Sequence, residues 1–210
     1  MTGEVDGVVD FLRRRRWARR SLSGLSLILL VGAVGLLGYP FYTNLYQSRV
    51  QSHLEHQLAS PQLKQRYRNR ALREGDSLTR IKIPKIGVDV VVVEGTSSSA
   101  LRAGAGHYPA TPLPCEDGNV SIAGHRTTYG KPFANIDLLG PGDQVVLQTP
   151  VGTCTYQVTQ APLIVLPTDF SVVANTPGTH TLTLTSCHPK GSASHRIVVK
   201  AVMTGAPVNA

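Results

Sequence analysis

The sequence HTLTLTSCHPKGSASHRIVVK, residues 180–200, predicts a β-hairpin around which the rest of the chain is arranged. Leu182 and Leu184 alternate with threonines, as a strand with one buried face requires. Cys187 ends this strand, and after a turn of small residues Arg196 begins a second β-rich run. Because the end of one strand lies beside the start of the next in an antiparallel hairpin, we expect Cys187 and Arg196 to be neighbours.

The expected pairing of Cys187 with Arg196 points to a chemical site. A guanidinium beside a thiol favours the nucleophilic thiolate, and it can also hold an oxyanion or a substrate carbonyl. A lone cysteine is more often an inert, buried small side chain. The motif position of Cys187, with Arg196 downstream, favours the nucleophile.

A nucleophilic thiol also needs a base, and the chain has seven histidines. His125 is the best placed, because it follows a short predicted strand at residues 119–123, and strand ends commonly form sites. His107, in a loop punctuated by glycine and proline, is the second candidate. His188 and His195 stay open, although His188 adjoins Cys187 and adjacent residues on an extended chain face opposite ways.

Three separated motifs resemble those of sortases, the cysteine transpeptidases of Gram-positive cell surfaces. They are AGHRTTYGKPF at residues 123–133, TLTSC at residues 183–187, and Arg196 at the start of the next strand. The motifs occur in the family's order, and the resemblance covers residues 75–203.

Within the family, HYP at residues 107–109 and CHP at residues 187–189 are most similar to class E. Ser186 departs from the family pattern TLxTC, which has threonine there; the hydroxyl is kept and a methyl is lost. The resemblance implies catalytic roles for Cys187, His125 and Arg196, and a substrate groove lined by Ala123, Thr183, Thr185 and Ser186.

The resemblance also implies a reaction without a cofactor. The substrate would be a secreted protein with a C-terminal Leu-x-x-Thr-Gly signal, in which class E members prefer alanine at the second position. Cys187 would cleave the Thr–Gly bond and form a thioester, while His125 protonates the departing amine. A peptidoglycan precursor amine would then resolve the thioester.

About eight short β-rich runs separated by turns predict an all-β domain, a closed or nearly closed barrel with short helices. The resemblance implies the sortase barrel, with its site in a groove at one end of the strands. The runs are residues 77–84, 88–93, 119–123, 144–148, 153–160, 163–166 and the two strands of the hairpin.

The N-terminal region predicts a membrane anchor. Six arginines lie within residues 13–20, directly before an uncharged apolar run at residues 22–42. About 20 apolar residues suffice to span a bilayer as a helix, and basic residues before it favour a cytoplasmic N-terminus. A cleaved signal peptide is the alternative, but bulky residues replace the small residues of a cleavage site.

These patterns divide the chain into segments. They are a cytoplasmic basic N-terminus (1–20), a transmembrane anchor (21–42), an extracellular stalk that is helical or partly disordered (43–75), the catalytic barrel (76–205) and a tail (206–210). The net charge of +8 is explained largely by the arginines before the apolar run. The predicted β domain has no basic stripe with interleaved aromatic residues, so nucleic-acid binding is not predicted.

Three cysteines leave one odd thiol if two are bridged. With Cys187 assigned to the motif, Cys115 and Cys154 are the candidate pair for a disulfide, which requires Cα atoms within about 7 Å of each other. The acidic residues are scattered, so no metal site is predicted.

The sequence is also compatible with three other functions. An L,D-transpeptidase would have arginine two residues after its cysteine, where this chain has Pro189. A plain cysteine endopeptidase would use water in place of the amine. The alternative from another class is a non-catalytic anchored β domain that binds cell-wall or protein ligands.

Overall fold

The computed structural model describes residues 16–205 and 208–209. Most of the predicted cytoplasmic N-terminus, residues 1–15, and three residues of the predicted tail (206, 207 and 210) lie outside that part. The chain divides into two compact units, Met1–Tyr42 and Thr43–Ala210.

Helix α1, Arg16–Leu58, is the one helix in the described part of the chain that is long and apolar enough to cross a membrane. Its large apolar side chains between residues 22 and 42 are all exposed within the first unit. Such a surface is stable in contact with lipid, because lipid tails are as apolar as the side chains.

The second unit is built on a closed β-barrel, as the sequence predicts. Eight strands form the ring in the order β6-β5-β1-β2-β3-β4-β8-β9, and β9 pairs back with β6; β7 adds to β9 and β10 to β6 outside the ring. The strands are β1 (Ser77–Ile83), β2 (Val88–Glu94), β3 (Ala105–His107), β4 (Gly118–Ala123), β5 (Gln144–Thr149), β6 (Gly152–Val158), β7 (Leu163–Val165), β8 (His180–His188), β9 (His195–Met203) and β10 (Val208–Asn209).

Alternation along the strands fills the barrel with apolar side chains. Leu182 and Leu184 of β8 are fully buried in the core beside Val120 and Ile122 of the parallel strand β4. Burying a side chain of this size stabilises the fold by about 1.5–3 kcal/mol. The strand that carries Cys187 is therefore anchored in the core by its middle residues.

Short helices precede and connect the strands of the barrel. Helix α2 (Pro61–Arg68) begins with Ser60 as N-cap and proline at its first position, and α3 (Ser98–Ala103) begins with Ser97 as N-cap. The 3₁₀-helices are η1 (Pro84–Ile86), η2 (Ile136–Leu138) and η3 (Phe170–Val173).

Residues 43–75, predicted as a stalk, belong to the same compact unit as the barrel. Leu54 of α1 packs in a second apolar cluster with Val91, Val93 and Ala100. In α2, Leu63 and Tyr67 are buried, and the Tyr67 hydroxyl donates to the Pro114 carbonyl. Burial raises the pKa of Tyr67, so its proton stays in this bond at any ordinary pH.

A disulfide joins Cys115, in the loop between β3 and β4, to Cys154 of β6, with the Cα atoms 5.6 Å apart. The backbone N–H of Cys115 also donates to the Tyr156 hydroxyl. Both contacts fix the β3–β4 loop to the barrel wall.

Replacing both Cys115 and Cys154 by alanine should lower the free energy of unfolding by about 2–4 kcal/mol, because the bridge closes a loop of 39 residues in the unfolded chain. Thermal unfolding of the full chain in detergent micelles would measure this as a fall of roughly 5–15 °C in Tm. Cys187→Ala, which leaves the bridge intact, is the control. An unchanged Tm in the double variant would contradict the prediction.

Candidate active site

The hairpin of β8 and β9 places Cys187 directly opposite Arg196, as the sequence predicts. Strand β4 runs parallel to β8 on its other side, with Ala123 opposite Thr185. Beyond the paired residues, the Gly124 N–H donates to the Thr185 carbonyl. Because parallel strands end at the same edge, His125, two residues after β4, lies at the edge where Cys187 comes one residue before the end of β8.

These strand ends form the wall of a cavity of about 240 Å³. It brings together the predicted catalytic residues and three of the four predicted groove residues. The lining residues are Thr96, Leu101, Tyr108, Ala123, Gly124, His125, Thr185, Ser186, Cys187 and Arg196.

His125 lies in an irregular segment, residues 124–133, which we call the His125 loop. Its backbone carbonyl accepts a hydrogen bond from the Phe133 N–H, and its ring centroid lies 5.4 Å from that of Tyr129. Burial and, to a lesser extent, the Arg102 guanidinium lower the pKa of His125. The imidazole is therefore mostly neutral at pH 7 and can accept a proton.

Arg196 is half-buried and held by backbone carbonyls. Its Nη1 donates to the Ala193 and His195 carbonyls, each at 3.1 Å. Its Nε and Nη2 have no hydrogen-bond partner among the described residues. Two donors of a pre-positioned cation are thus available at the cavity.

Cys187 is the free thiol of the chain, and it is partly exposed. The neighbouring Ser186 hydroxyl is buried and donates to the Gly124 carbonyl at 2.7 Å. Serine therefore makes this bond without the methyl group that the family pattern has. The bond joins the Cys187 strand to the start of the His125 loop.

Thr183, expected in the substrate groove, does not line the cavity. Its buried hydroxyl donates to Asn119 Oδ1 at 2.7 Å and accepts from Lys200 Nζ at 2.8 Å. Lys200 also donates to the Val172 carbonyl of η3, and burial lowers its pKa. Thr183 thus connects β8 to the segment around η3.

The other candidate bases have different surroundings. His107 is 1% exposed, within hydrogen-bond distance of Glu94 Oε2 and the Pro112 carbonyl, and it lines a separate cavity of about 280 Å³. His188 accepts a hydrogen bond from Arg126, and His195 contacts Ser194. Of the candidate bases, only His125 lines the cavity with Cys187.

Arg126 is a residue that the sequence analysis missed. It is 4% exposed, and its Nη1 donates to the Cys187 carbonyl at 3.3 Å and to His188 Nδ1 at 2.9 Å. Its Nη2 forms an ion pair with Asp137 at 2.8 Å. Arg126 thereby connects the His125 loop to the strand end that carries Cys187. The only available signal was its position directly after His125.

Within the described ranges, no group of three or more histidine, cysteine or acidic side chains could hold a metal ion. The chemistry that these side chains support is nucleophilic attack by a thiol, proton transfer by an imidazole and stabilisation of negative charge by a guanidinium.

Comparisons with known proteins point to one family. The family model of the sortase domain matches residues 81–204. The chain is 29% identical to sortase SrtE1 of Streptomyces coelicolor over 212 residues, covering 88% of this chain and 60% of that protein. The chain thus spans about 60% of the length of that curated relative.

Solved structures show the same fold. A sortase D5 transpeptidase of Clostridium perfringens superposes with a TM-score of 0.66 at 29% identity, covering 76% of this chain and 98% of that one. Sortase E of Streptomyces avermitilis superposes with a TM-score of 0.59 at 34% identity, covering 64% of this chain and 93% of that one.

Proposed function

The chain belongs to the sortase family, most like its class E, and from this premise we propose that it is a membrane-anchored cysteine transpeptidase. Its substrates are secreted proteins with a C-terminal Leu-Ala-x-Thr-Gly or Leu-Pro-x-Thr-Gly signal, and its acceptor is an amine of a cell-wall precursor. The observation that carries the proposal is the joining of Cys187, His125 and Arg196 in one cavity.

In the first half of the proposed reaction, Cys187 Sγ attacks the carbonyl carbon of the signal threonine. The thiol proton passes to His125, whose lowered pKa leaves it able to accept one. Arg196 donates to the oxyanion through Nε and Nη2, the nitrogens that have no partner among the described residues. As the C–N bond breaks, His125 gives the proton to the departing glycine amine, and a thioester remains on Cys187.

In the second half, the acceptor amine attacks the thioester carbonyl. His125 takes a proton from the amine and returns it to the sulfur when the C–S bond breaks, which restores the thiol. The new amide joins the client protein to the cell-wall precursor. We place Ala123, Thr185 and Ser186 along the groove, and Thr183 behind it because both its hydrogen bonds are made within the protein.

The proposed location is the cell membrane, with one span. The arginines within residues 13–20 precede the apolar part of α1, so the N-terminus is cytoplasmic and the barrel extracellular by the positive-inside rule.

The test uses the full chain in detergent micelles with the Leu-Ala and Leu-Pro signal peptides, with and without hydroxylamine, a small amine that attacks thioesters. We expect cleavage between threonine and glycine, a threonine hydroxamate when hydroxylamine is present, and an acyl adduct on Cys187, all detected by mass spectrometry. Protein alkylated at Cys187 beforehand is the control. Peptide added to intact cells tests the orientation.

Intact peptides after incubation with a folded protein would contradict the proposal. They would favour the non-catalytic anchored β domain. Cleavage with water but never with an amine would favour a plain endopeptidase.

A further inference from the structure

Residues 43–58 of α1, which we call the docked segment, lie against the barrel along one helical face. Thr43, Gln47 and Leu54 are buried, and Val50 and Gln51 are half-buried. Their spacing of three and four residues is that of a single helix face. Two of these inward positions hold glutamine, a residue that is mostly exposed in proteins.

Gln51 uses its whole side-chain amide on the backbone of the barrel. Its Oε1 accepts from the Val91 N–H at 2.7 Å, and its Nε2 donates to the Val91 carbonyl at 3.2 Å and the Ala103 carbonyl at 2.7 Å. A Cβ at Gly104 would lie 2.6 Å from this Nε2. Gln51 therefore fixes the end of α3, the helix that carries Arg102.

Gln47, one helical turn before Gln51, packs against the His125 loop at Gly130. It is 5% exposed, and its Oε1 has no hydrogen-bond partner in the described part of the chain. A Cβ at Gly130 would lie only 2.2 Å from that oxygen, and Gly130 has a φ of 65°. Only glycine fits both the space and the backbone conformation at this point of the loop.

The loop residues on either side of Gly130 are also left-handed. Tyr129 has a φ of 48° and Lys131 a φ of 42°, values that are uncommon for residues other than glycine. Such conformations persist only where the surroundings impose them. The Gln47 amide, packed on Gly130 between these two residues, can impose their left-handed conformations.

The two glutamines are linked to His125 indirectly, through the residues around Tyr129. Gln47 contacts the loop at Gly130, next to Tyr129, whose ring lies 5.4 Å from the His125 ring. Gln51 holds α3, from which the Arg102 guanidinium lies 5.8 Å from the centre of the Tyr129 ring. Tyr129 is thus held between the loop at Gly130 and Arg102 of α3, and its ring packs on the His125 imidazole.

We propose that Gln47 and Gln51 are positioning residues for His125, and that the docked segment is part of the active-site architecture. Gln47 acts by its volume, because its oxygen makes no hydrogen bond with any described residue, whereas Gln51 acts by the three hydrogen bonds of its amide. The inference rests on the proposed role of His125 in proton transfer. A displacement of about 1 Å in a catalytic group can cost a hundredfold in rate.

The test replaces each glutamine by alanine and by methionine, which has a similar length but no amide, in the full chain in detergent micelles. Gln47→Ala, Gln51→Ala and Gln51→Met should each lower kcat for signal-peptide cleavage about 10- to 100-fold per Cys187 that iodoacetamide can alkylate. Gln47→Met should stay within about threefold of the parent, since it keeps the volume. Gln62→Ala, at an exposed glutamine of α2, is the control.

Normalising to reactive Cys187 separates positioning from folding. If the three disruptive variants lose only Tm and keep kcat per reactive thiol, the role is structural and the inference is overturned. It is also overturned if methionine at position 47 is as harmful as alanine.

A double variant tests the contact between Gln47 and Gly130 itself. Gly130→Ala should collide with the Gln47 amide, and adding Gln47→Ala should remove the collision while leaving the backbone strain. We therefore expect the double variant to be more active than Gly130→Ala alone. A double variant that is no better would overturn the contact.

Histidine-selective NMR titration provides a readout that needs no substrate. The pKa of His125 is lowered chiefly by burial, so loosening its support in Gln47→Ala and Gln51→Met should raise that pKa toward its ordinary value. An unchanged His125 titration in both variants would overturn the inference. If the parent protein cleaves no signal peptide, the proposed function fails while this titration still decides the positioning role.

Discussion

Replacing Cys187 by alanine should lower the rate of signal-peptide cleavage by about 10⁴-fold or more, the scale on which removal of a covalent nucleophile acts. The hydroxyls next to Cys187 on β8 are a poor substitute, because Ser186 is hydrogen-bonded to Gly124 and Thr185 to Tyr108 at 3.1 Å, and a hydroxyl is a far weaker nucleophile than a thiol. The rate would be measured by mass spectrometry of the released glycine peptide.

The fold should survive this change. Cys187 lies at the partly exposed end of β8, outside the barrel core, so its Sγ contributes little packing. Cys187→Ala should therefore unfold within a few degrees of the parent and retain the Cys115–Cys154 bridge. Cys187→Ser is the matched variant; its hydroxyl is a far weaker nucleophile, so its loss should approach that of alanine. Substantial cleavage by Cys187→Ala would contradict the assigned nucleophile.

The barrel could be predicted because its strands carry local signals. Alternation in β8 and the β-branched runs of β1 and β2 indicate strands without any knowledge of their partners. The exception is β3, three residues within a stretch that glycine and proline mark as a loop. It closes the ring by pairing with β2 and β4, while the predicted strand β7 pairs outside it. The predicted number of about eight strands matches the ring, although β3 takes the place of β7 in it.

The docked segment could not be recognised because its buried face contains polar residues. Half-buried Gln51 keeps its amide satisfied only because Val91 and Ala103 supply partners from 40 and 52 residues away. Pro61, which interrupts the apolar spacing in the sequence, begins α2 with Ser60 as its cap. The local sequence could therefore indicate helix in the predicted stalk. It could not indicate packing against the barrel, because the contacting residues are far away in the sequence.

The proximity of the three candidate catalytic side chains was predictable, and the contacts that support them were not. A strand end and a hairpin suffice to bring His125, Cys187 and Arg196 together. The role of Arg126 depends on the Cys187 carbonyl, 61 residues away, and on Asp137 in η2. Strand alternation places Thr183 on the same face as Thr185. Only the structure shows that the Thr183 hydroxyl is hydrogen-bonded to Asn119 and Lys200.

Replacing Arg196 by lysine should lower kcat for signal-peptide cleavage about 10²- to 10³-fold with little change in KM, because the loss falls on an interaction made with the developing oxyanion. Lysine keeps the charge, but its single ammonium group cannot both bond the Ala193 and His195 carbonyls and present two further donors to the cavity. Single-turnover rates of thioester formation would separate this chemical step from substrate binding.

Lys190→Gln supplies the matched control for Arg196→Lys, since Lys190 is an exposed cation of the same hairpin that contacts Asn135. It removes a positive charge near the site without touching the cavity, so its kcat should stay within about twofold of the parent. If Arg196→Lys kept full kcat and raised only KM, Arg196 would bind the substrate equally in its ground and transition states. That outcome would contradict the oxyanion role, because a donor that acts on the transition state must lower kcat when it is removed.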